Sequence, residues 1–322
     1  MATSCDGYRY SVGRLPDIPV NFAEINTEYD DYNSTSPIFG ETSPLCFSTN
    51  RSSSGADFDI IYKLISISFS RTSGKLSVQE HKSFLSGVYI ENYNIHNALS
   101  KINTSSNELG PYLIPQGRKF NGTNMNGRYE SYILLYSSDK GGNQNIMFTE
   151  NLENENYNPP LEVTFLNSAF DDVYPCYSKD LAAIYFSSNR ESSFNIYKVD
   201  VSNSQDIINI LKEGSEAKVE KVAVLSSDGD DKCPYIVGNH MVFASNRPGG
   251  YGGYDLYYSK YENGAWQPPV NFGDKINTEY DEFRPIVKLL YEFKSDFMLF
   301  SSNRPGGKGG FDLYFVGIDK IR

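Results

Sequence analysis

The sequence predicts an all-β protein: a five-bladed β-propeller of four-stranded antiparallel blades, its ring closed by the N-terminal strand. Three observations predict it. The phrase Ser302-Asn303-Arg304-Pro305-Gly306-Gly307 runs on to Phe311-Asp312-Leu313-Tyr314, and the same phrase from Ser245 to Gly250 runs on to Tyr254-Asp255-Leu256-Tyr257. Looser copies are Ser188-Asn189-Arg190 with Asn195-Ile196-Tyr197, Thr49-Asn50-Arg51 with Asp59-Ile60-Ile61, and Ser138-Asp139-Lys140 with Asn145-Ile146-Met147. Asn189, Asn246 and Asn303 follow one another at 57-residue intervals, a period that fits one propeller blade per copy.

Each copy supplies its elements in a fixed order. Acidic residues followed by Pro open the first strand, at Asp171-Asp172-Val173-Tyr174-Pro175, Asp230-Asp231-Lys232-Cys233-Pro234 and Asp281-Glu282-Phe283-Arg284-Pro285. A short apolar run, such as Met241-Val242-Phe243 or Met298-Leu299-Phe300, forms the second strand and ends at Asn-Arg. Pro and paired Gly then make the turn, because Pro stops a strand and Gly tolerates positive φ. Asp-Leu-Tyr begins the third strand, and a fourth carries the chain onward.

The blade count rests on a further match. Ile276-Asn277-Thr278-Glu279-Tyr280-Asp281 recurs at 25–30, and both copies follow Pro-Val-Asn-Phe, at 269–272 and 19–22. A weaker copy, Ile102-Asn103-Thr104, falls between Asn50 and Asp139. That long interval therefore holds one blade with insertions, expected at about 63–100 and 117–131. The segment at 269–272 sits where a fourth strand belongs, whereas its twin at 19–22 precedes any first strand. The N-terminal segment is thus expected to be the outer strand of the last blade, pairing edges that would otherwise stay open. Residues 1–14 read as an N-terminal tail and 15–322 as a single propeller domain.

Composition narrows the function classes. A net charge of −11 argues against a nucleic-acid partner, which needs clustered Lys and Arg. No run of about 18 apolar residues exists to span a membrane. The 25 Tyr and 20 Phe suit half-buried sheet positions. Cys46, Cys176 and Cys233 fall one per blade without paired spacing and read as buried free thiols. Cys5 differs: the small residues Ala2-Thr3-Ser4 directly before it match the end of a bacterial lipoprotein signal, without that signal's charged and apolar parts. Lipid attachment at Cys5 and an ordinary N-terminus with an exposed thiol both stay open.

Blade geometry places the acidic lead-in loops and the Asn-Arg turns on one face. Asp31, Glu108, Asp172, Asp231 and Glu282 are then expected around the channel mouth. Clustered carboxylates suit a hard cation such as calcium, or a polar ligand such as a glycan. The competing reading pairs each carboxylate with a nearby Arg or with its own turn, since a feature repeated in every blade is usually architectural. Tyr251, Tyr254 and Trp266 do not repeat and are candidates for a sugar-stacking surface, with core packing as the alternative for Trp266. No catalytic residue is assigned: His-Glu-x-x-His and Gly-x-Ser-x-Gly are missing, and no cofactor is expected.

The run of apolar strand, Ser-Asn-Arg-Pro-Gly-Gly and Asp-Leu-Tyr resembles the WD40-like propeller repeat of the TolB type, in the version common in cell-envelope proteins of Bacteroidetes. The resemblance extends from about residue 19 to 316 and is weakest in blade two, where Asp139, Lys140 and Asn145 replace the usual residues. It implies a non-catalytic binding or protein-interaction module in the periplasm or at the outer membrane. Such a module would be monomeric, would take a protein or glycan of the cell envelope as partner, and would touch the membrane only through a lipid anchor. The alternative is a glycoside hydrolase or other carbohydrate-active five-bladed propeller working with inner-strand carboxylates. An enzyme should then show two or three carboxylates in one deep funnel, at least one with a raised pKa and no Arg partner, whereas a binding module should show its acids paired, with exposed aromatics or a flat patch nearby.

Overall fold

The computed structural model describes residues 13–36, 42–70, 72–81, 95–120, 128–154, 156–201, 206–214, 218–291 and 293–321. A short strand, β1 (Val20–Asn21), precedes blade one, which is β2 (Asp31–Thr35), β3 (Thr42–Thr49), β4 (Asp59–Phe69) and β5 (Leu76–Glu80). Helix α1 (Ile95–Ile102) leads into blade two: β6 (Glu108–Phe120), β7 (Arg128–Ser138), β8 (Asn145–Glu150) and β9 (Leu161–Glu162). Blade three is β10 (Asp172–Ser178), β11 (Ala183–Glu191), β12 (Ser193–Asp200) and, after helix α2 (Ile207–Glu213), β13 (Glu220–Lys221). Blade four is β14 (Asp231–Val237), β15 (His240–Ser245) and β16 (Asp255–Glu262), the last pairing with both β17 (Ala265–Trp266) and β18 (Val270–Asn271). Blade five is β19 (Glu282–Lys288), β20 (Asp296–Ser302) and β21 (Asp312–Ile318).

Each sheet is antiparallel and ordered as the chain runs, except the last. There β1 takes the outer position and pairs with β21, Val20 opposite Phe315 and Asn21 opposite Tyr314. The innermost strands β2, β6, β10, β14 and β19 touch in succession and back to β2, which completes the five-bladed ring. Second strands are buried on both faces, as along Met241–Ser245 and Asp296–Ser302, which explains their unbroken apolar runs.

The first strands begin at the carboxylate, and the recurring Pro lies three residues later at a β-bulge. Asn33, Gly110, Tyr174, Cys233 and Arg284 occupy equivalent bulge positions, all with φ between 50° and 59°. Pro fits here because the strand is the inner edge of its sheet and the register already breaks.

The interior of the ring is filled. Arg284, fully buried, reaches from blade five to blade two, where it donates to the carbonyl of Pro111 at 3.0 Å, and it lies over the Tyr174 ring of blade three. Tyr174 meets Phe283 edge-on at 5.8 Å, and Tyr112 meets Tyr235 at 6.4 Å, both across the ring. The channel expected from the sequence is therefore corrected to a plugged axis.

Two features of the long interval also differ from expectation. The outer half of blade one lies inside the segment read as insertion, because β4 runs on to Phe69 and pairs with β5. The remainder of that segment ends in α1, whose Ile95, Ala98 and Ile102 are buried in a cluster with Cys46, Ile60, Leu113 and Tyr136 of the two flanking blades. The second insertion extends the β6–β7 hairpin to the pair Phe120–Arg128, and residues 121–127 lie outside the described residues.

Candidate functional site in blade two

Four blades carry the same buried network. The lead-in carboxylate accepts from the main-chain N–H and hydroxyl of a Thr or Ser four residues earlier. Thr27 serves Asp31, Ser168 serves Asp172, Ser227 serves Asp231 and Thr278 serves Glu282. Its second oxygen, or in Glu282 the oxygen shared with Thr278, meets an arginine at or just beyond the end of the second strand. Arg51 pairs with Asp31, Arg190 with Asp172 at 2.5 Å, Arg247 with Asp231 at 2.7 Å and Arg304 with Glu282 at 2.9 Å. The guanidinium also donates through Nε to the hydroxyl of Thr49, Ser188, Ser245 or Ser302, and through Nη2 to the carbonyl of Ile25, Leu166, Leu225 or Ile276. Beneath it lies Phe47, Phe186, Phe243 or Phe300, each at 5.2 to 5.4 Å. These four guanidinium sockets are architectural, and Asp31, Asp172, Asp231 and Glu282 are each engaged within their own blade. Among the described residues no grouping of His, Cys, Asp and Glu could hold a metal ion.

Blade two keeps the socket without the arginine. Glu108 is fully buried and accepts from Thr104 N at 3.0 Å, Thr104 Oγ1 at 2.8 Å and Ser138 Oγ at 3.0 Å. Lys140 stands where the arginine would, but it is exposed, and Glu108 has no basic partner among the described residues. In the strand register Tyr136 and Met147 replace the Phe186–Tyr197, Phe243–Tyr257 and Phe300–Tyr314 pairs. The result is a cavity of about 290 Å³ bounded by Ile102, Glu108, Tyr136, Ser138, Met147 and Glu162, with Lys101 and Lys140 also at its wall.

Burial pushes the Glu108 carboxyl above the usual glutamate range. Hydrogen bonds from Thr104 and Ser138 pull it partly back, and the negative charge of Asp59 adds to the rise. Glu282 is raised by burial as well, but there Arg304 favours the ionised form. Glu162, exposed on the outermost strand, accepts a hydrogen bond from the side chain of Asn145. The cavity thus joins a buried acid to a solvated carboxylate.

The other sequence candidates fall elsewhere. Trp266 is 6% exposed, donates to Tyr185 Oη at 3.3 Å and packs edge-on against Tyr185 and Tyr261. It belongs to the core and is removed from any binding surface. Tyr254 is tied inward, donating to Asp230 at 2.7 Å and meeting Phe283 edge-on, while Tyr251 alone of the three is exposed. Burial pushes the thiol of Cys176 up to about 11 and that of Cys233 up to about 12, so both are neutral free thiols. Cys5 lies outside the described residues. Sequence reasoning placed Glu108 in a ring of equals and passed over Glu162; the signal available was the lysine at 140, the one departure from Arg among five copies.

No family model matches the chain, and no curated protein sequence is similar to it. Solved structures do share its fold. An endo-arabinase from Bacteroides thetaiotaomicron VPI-5482 is 10% identical with a TM-score of 0.53, the match covering 95% of this chain and 98% of that one. The catalytic domain of a Coprinopsis cinerea GH62 α-L-arabinofuranosidase is 9% identical with a TM-score of 0.50, covering 94% and 96%. A GH62 hydrolase in complex with xylotriose is 10% identical with a TM-score of 0.50, covering 97% and 98%. At these identities the likeness is one of fold. It corrects the expectation of a non-catalytic module that is not an enzyme: these three propellers, alike over nearly their whole length, bear the names of an arabinase, an arabinofuranosidase and a hydrolase, which favours the carbohydrate-active alternative.

Proposed function

We propose that the chain is a carbohydrate-active propeller, a glycoside hydrolase whose site is the blade-two cavity. The observation that carries this reading is Glu108, a buried carboxyl with a raised pKa and no basic partner among the described residues, facing a cavity shared with Glu162. Glycoside hydrolysis needs that division of labour. One carboxyl stays protonated to give its proton to the leaving oxygen, and the other stays ionised to attack the anomeric carbon or activate water. Glu108 is the proton donor and Glu162 the ionised partner, with Tyr136 and Met147 forming the apolar wall against a sugar face. The cavity lies near the lower end of the roughly 300–1,000 Å³ range of ligand pockets, a size for one terminal sugar unit.

The neighbours named as an endo-arabinase, an α-L-arabinofuranosidase and a hydrolase in complex with xylotriose make arabinose- and xylose-containing oligosaccharides the first substrates to try. The purified chain should release sugar from such oligosaccharides, and Glu108→Gln and Glu162→Gln should each lower kcat by about 10²-fold or more. Absence of turnover on any glycoside, or full activity in both variants, removes the reading. The likeness of the repeat to the TolB type supports an exported enzyme, in the periplasm or at the outer membrane, with an envelope or extracellular glycan as its substrate.

A further inference from the structure

We propose that the blade-two cavity is a receptor for a guanidinium group supplied by a ligand. The argument comes from the four sister blades. Each spends an arginine of its own to fill the position that blade two leaves open. The acceptors that hold those guanidinium groups are a carboxylate, a hydroxyl and a main-chain carbonyl, here Glu108, Ser138 and Ile102, and all three line the cavity. The aromatic floor is kept as Tyr136. Lys140, the residue in register with the missing arginine, is exposed. A lysine ammonium is compact and cannot reproduce the planar fork that bonds carboxylate, hydroxyl and carbonyl together. Blade two is therefore a preorganised guanidinium site without its guanidinium, and its cost of assembly is already met by the fold.

An arriving guanidinium would take the Glu108 carboxylate as its counterion. It would hold that group ionised and fill the space where a sugar binds. An arginine-bearing ligand is thus an inhibitor of the site; this consequence rests on the hydrolase reading, whereas binding itself does not.

The test uses the whole chain and three probes: agmatine, butylamine, and a short peptide with one internal arginine. Calorimetry should show agmatine binding at least tenfold more tightly than butylamine. Lys140→Arg should refill the socket from within, raising Tm and weakening agmatine at least tenfold. Glu108→Gln should weaken it similarly. Equal affinity for agmatine and butylamine, or undiminished agmatine binding in both variants, overturns the proposal. Peptide binding as strong as agmatine marks a protein partner as the source; binding of agmatine alone marks a small guanidine. Agmatine binding without glycoside turnover leaves this inference standing and removes the hydrolase reading, and turnover without agmatine binding does the reverse.

Discussion

At the scale of single residues, the same chemistry serves two ends depending on one side chain. Arg304 is nearly buried and pairs with a fully buried glutamate. Arg304→Ala leaves Glu282 desolvated and uncompensated, and we expect a loss of about 3 kcal/mol in urea unfolding, the low end for a broken buried pair. Glu108 has no such basic partner among the described residues. Its folded pKa lies above the unfolded value of 4.5, so ionisation is disfavoured in the fold. The group's stabilising share is complete below that value and is lost as pH rises through the folded pKa. Glu108→Gln should therefore raise Tm near pH 7, with the advantage shrinking as pH falls toward about 4, as thermal melts across pH would show. What the sequence made legible here was the set of acids, Asp31, Glu108, Asp172, Asp231 and Glu282. Pairing with a nearby Arg or with the turn was one of their two sequence readings; which Arg meets which acid came from the structure, because in four blades it lies 16 to 22 residues later.

At the scale of elements, neighbouring blades are stitched by one repeated contact. The residue before each carboxylate accepts a hydrogen bond from the main chain at the start of the previous blade's third strand. The five stitches are Phe58 to Asn107, Gln144 to Asp171, Phe194 to Asp230, Tyr254 to Asp281 and Phe311 to Asp30, all between 2.7 and 3.1 Å. Elsewhere that residue is Asp and is held by the Asn of the Asn-Arg turn. In blade two the two have traded places, Asn107 donating to Asp139 at 2.6 Å. Asn107→Asp alone would set two carboxylates against each other, and we expect it to cost about 1–3 kcal/mol. Adding Asp139→Asn should restore most of that, and a double-mutant cycle in urea measures the recovery. The exchange explains why blade two gave the weakest repeat while keeping its geometry. The helices were less legible. In α2, Asp206 caps the start, Gly214 ends it and Ile207, Ile208, Ile210 and Leu211 are buried, a pattern of helical period hidden between strand signals. The turn-rich sequence around it masked seven residues of helix.

At the scale of the whole molecule, stability depends on the seam. Phe22, 2% exposed, follows β1 and packs edge-on against Phe315 of β21 at 5.6 Å. Its N–H donates to the Leu313 carbonyl at 2.8 Å. Phe22→Ala should cost roughly 3–5 kcal/mol and lower the urea midpoint of the entire ring, not of one blade. The closure itself was readable from sequence because Pro-Val-Asn-Phe occurs at both 19–22 and 269–272, and β18 and β1 indeed occupy equivalent outer positions. The filled axis was not readable. It depends on Arg284 crossing to Pro111, a contact spanning 173 positions that no periodicity announces.

The seam has one more consequence. Because Val20 lies beside Phe315 in a sheet like any other, the ring has no mechanically privileged starting point. A circular permutant that links the two ends by a short tether and opens the backbone in the exposed turn at Gly249 should assemble the same toroid. Blade five would then be made of consecutive chain, and blade four would inherit the role of clasp.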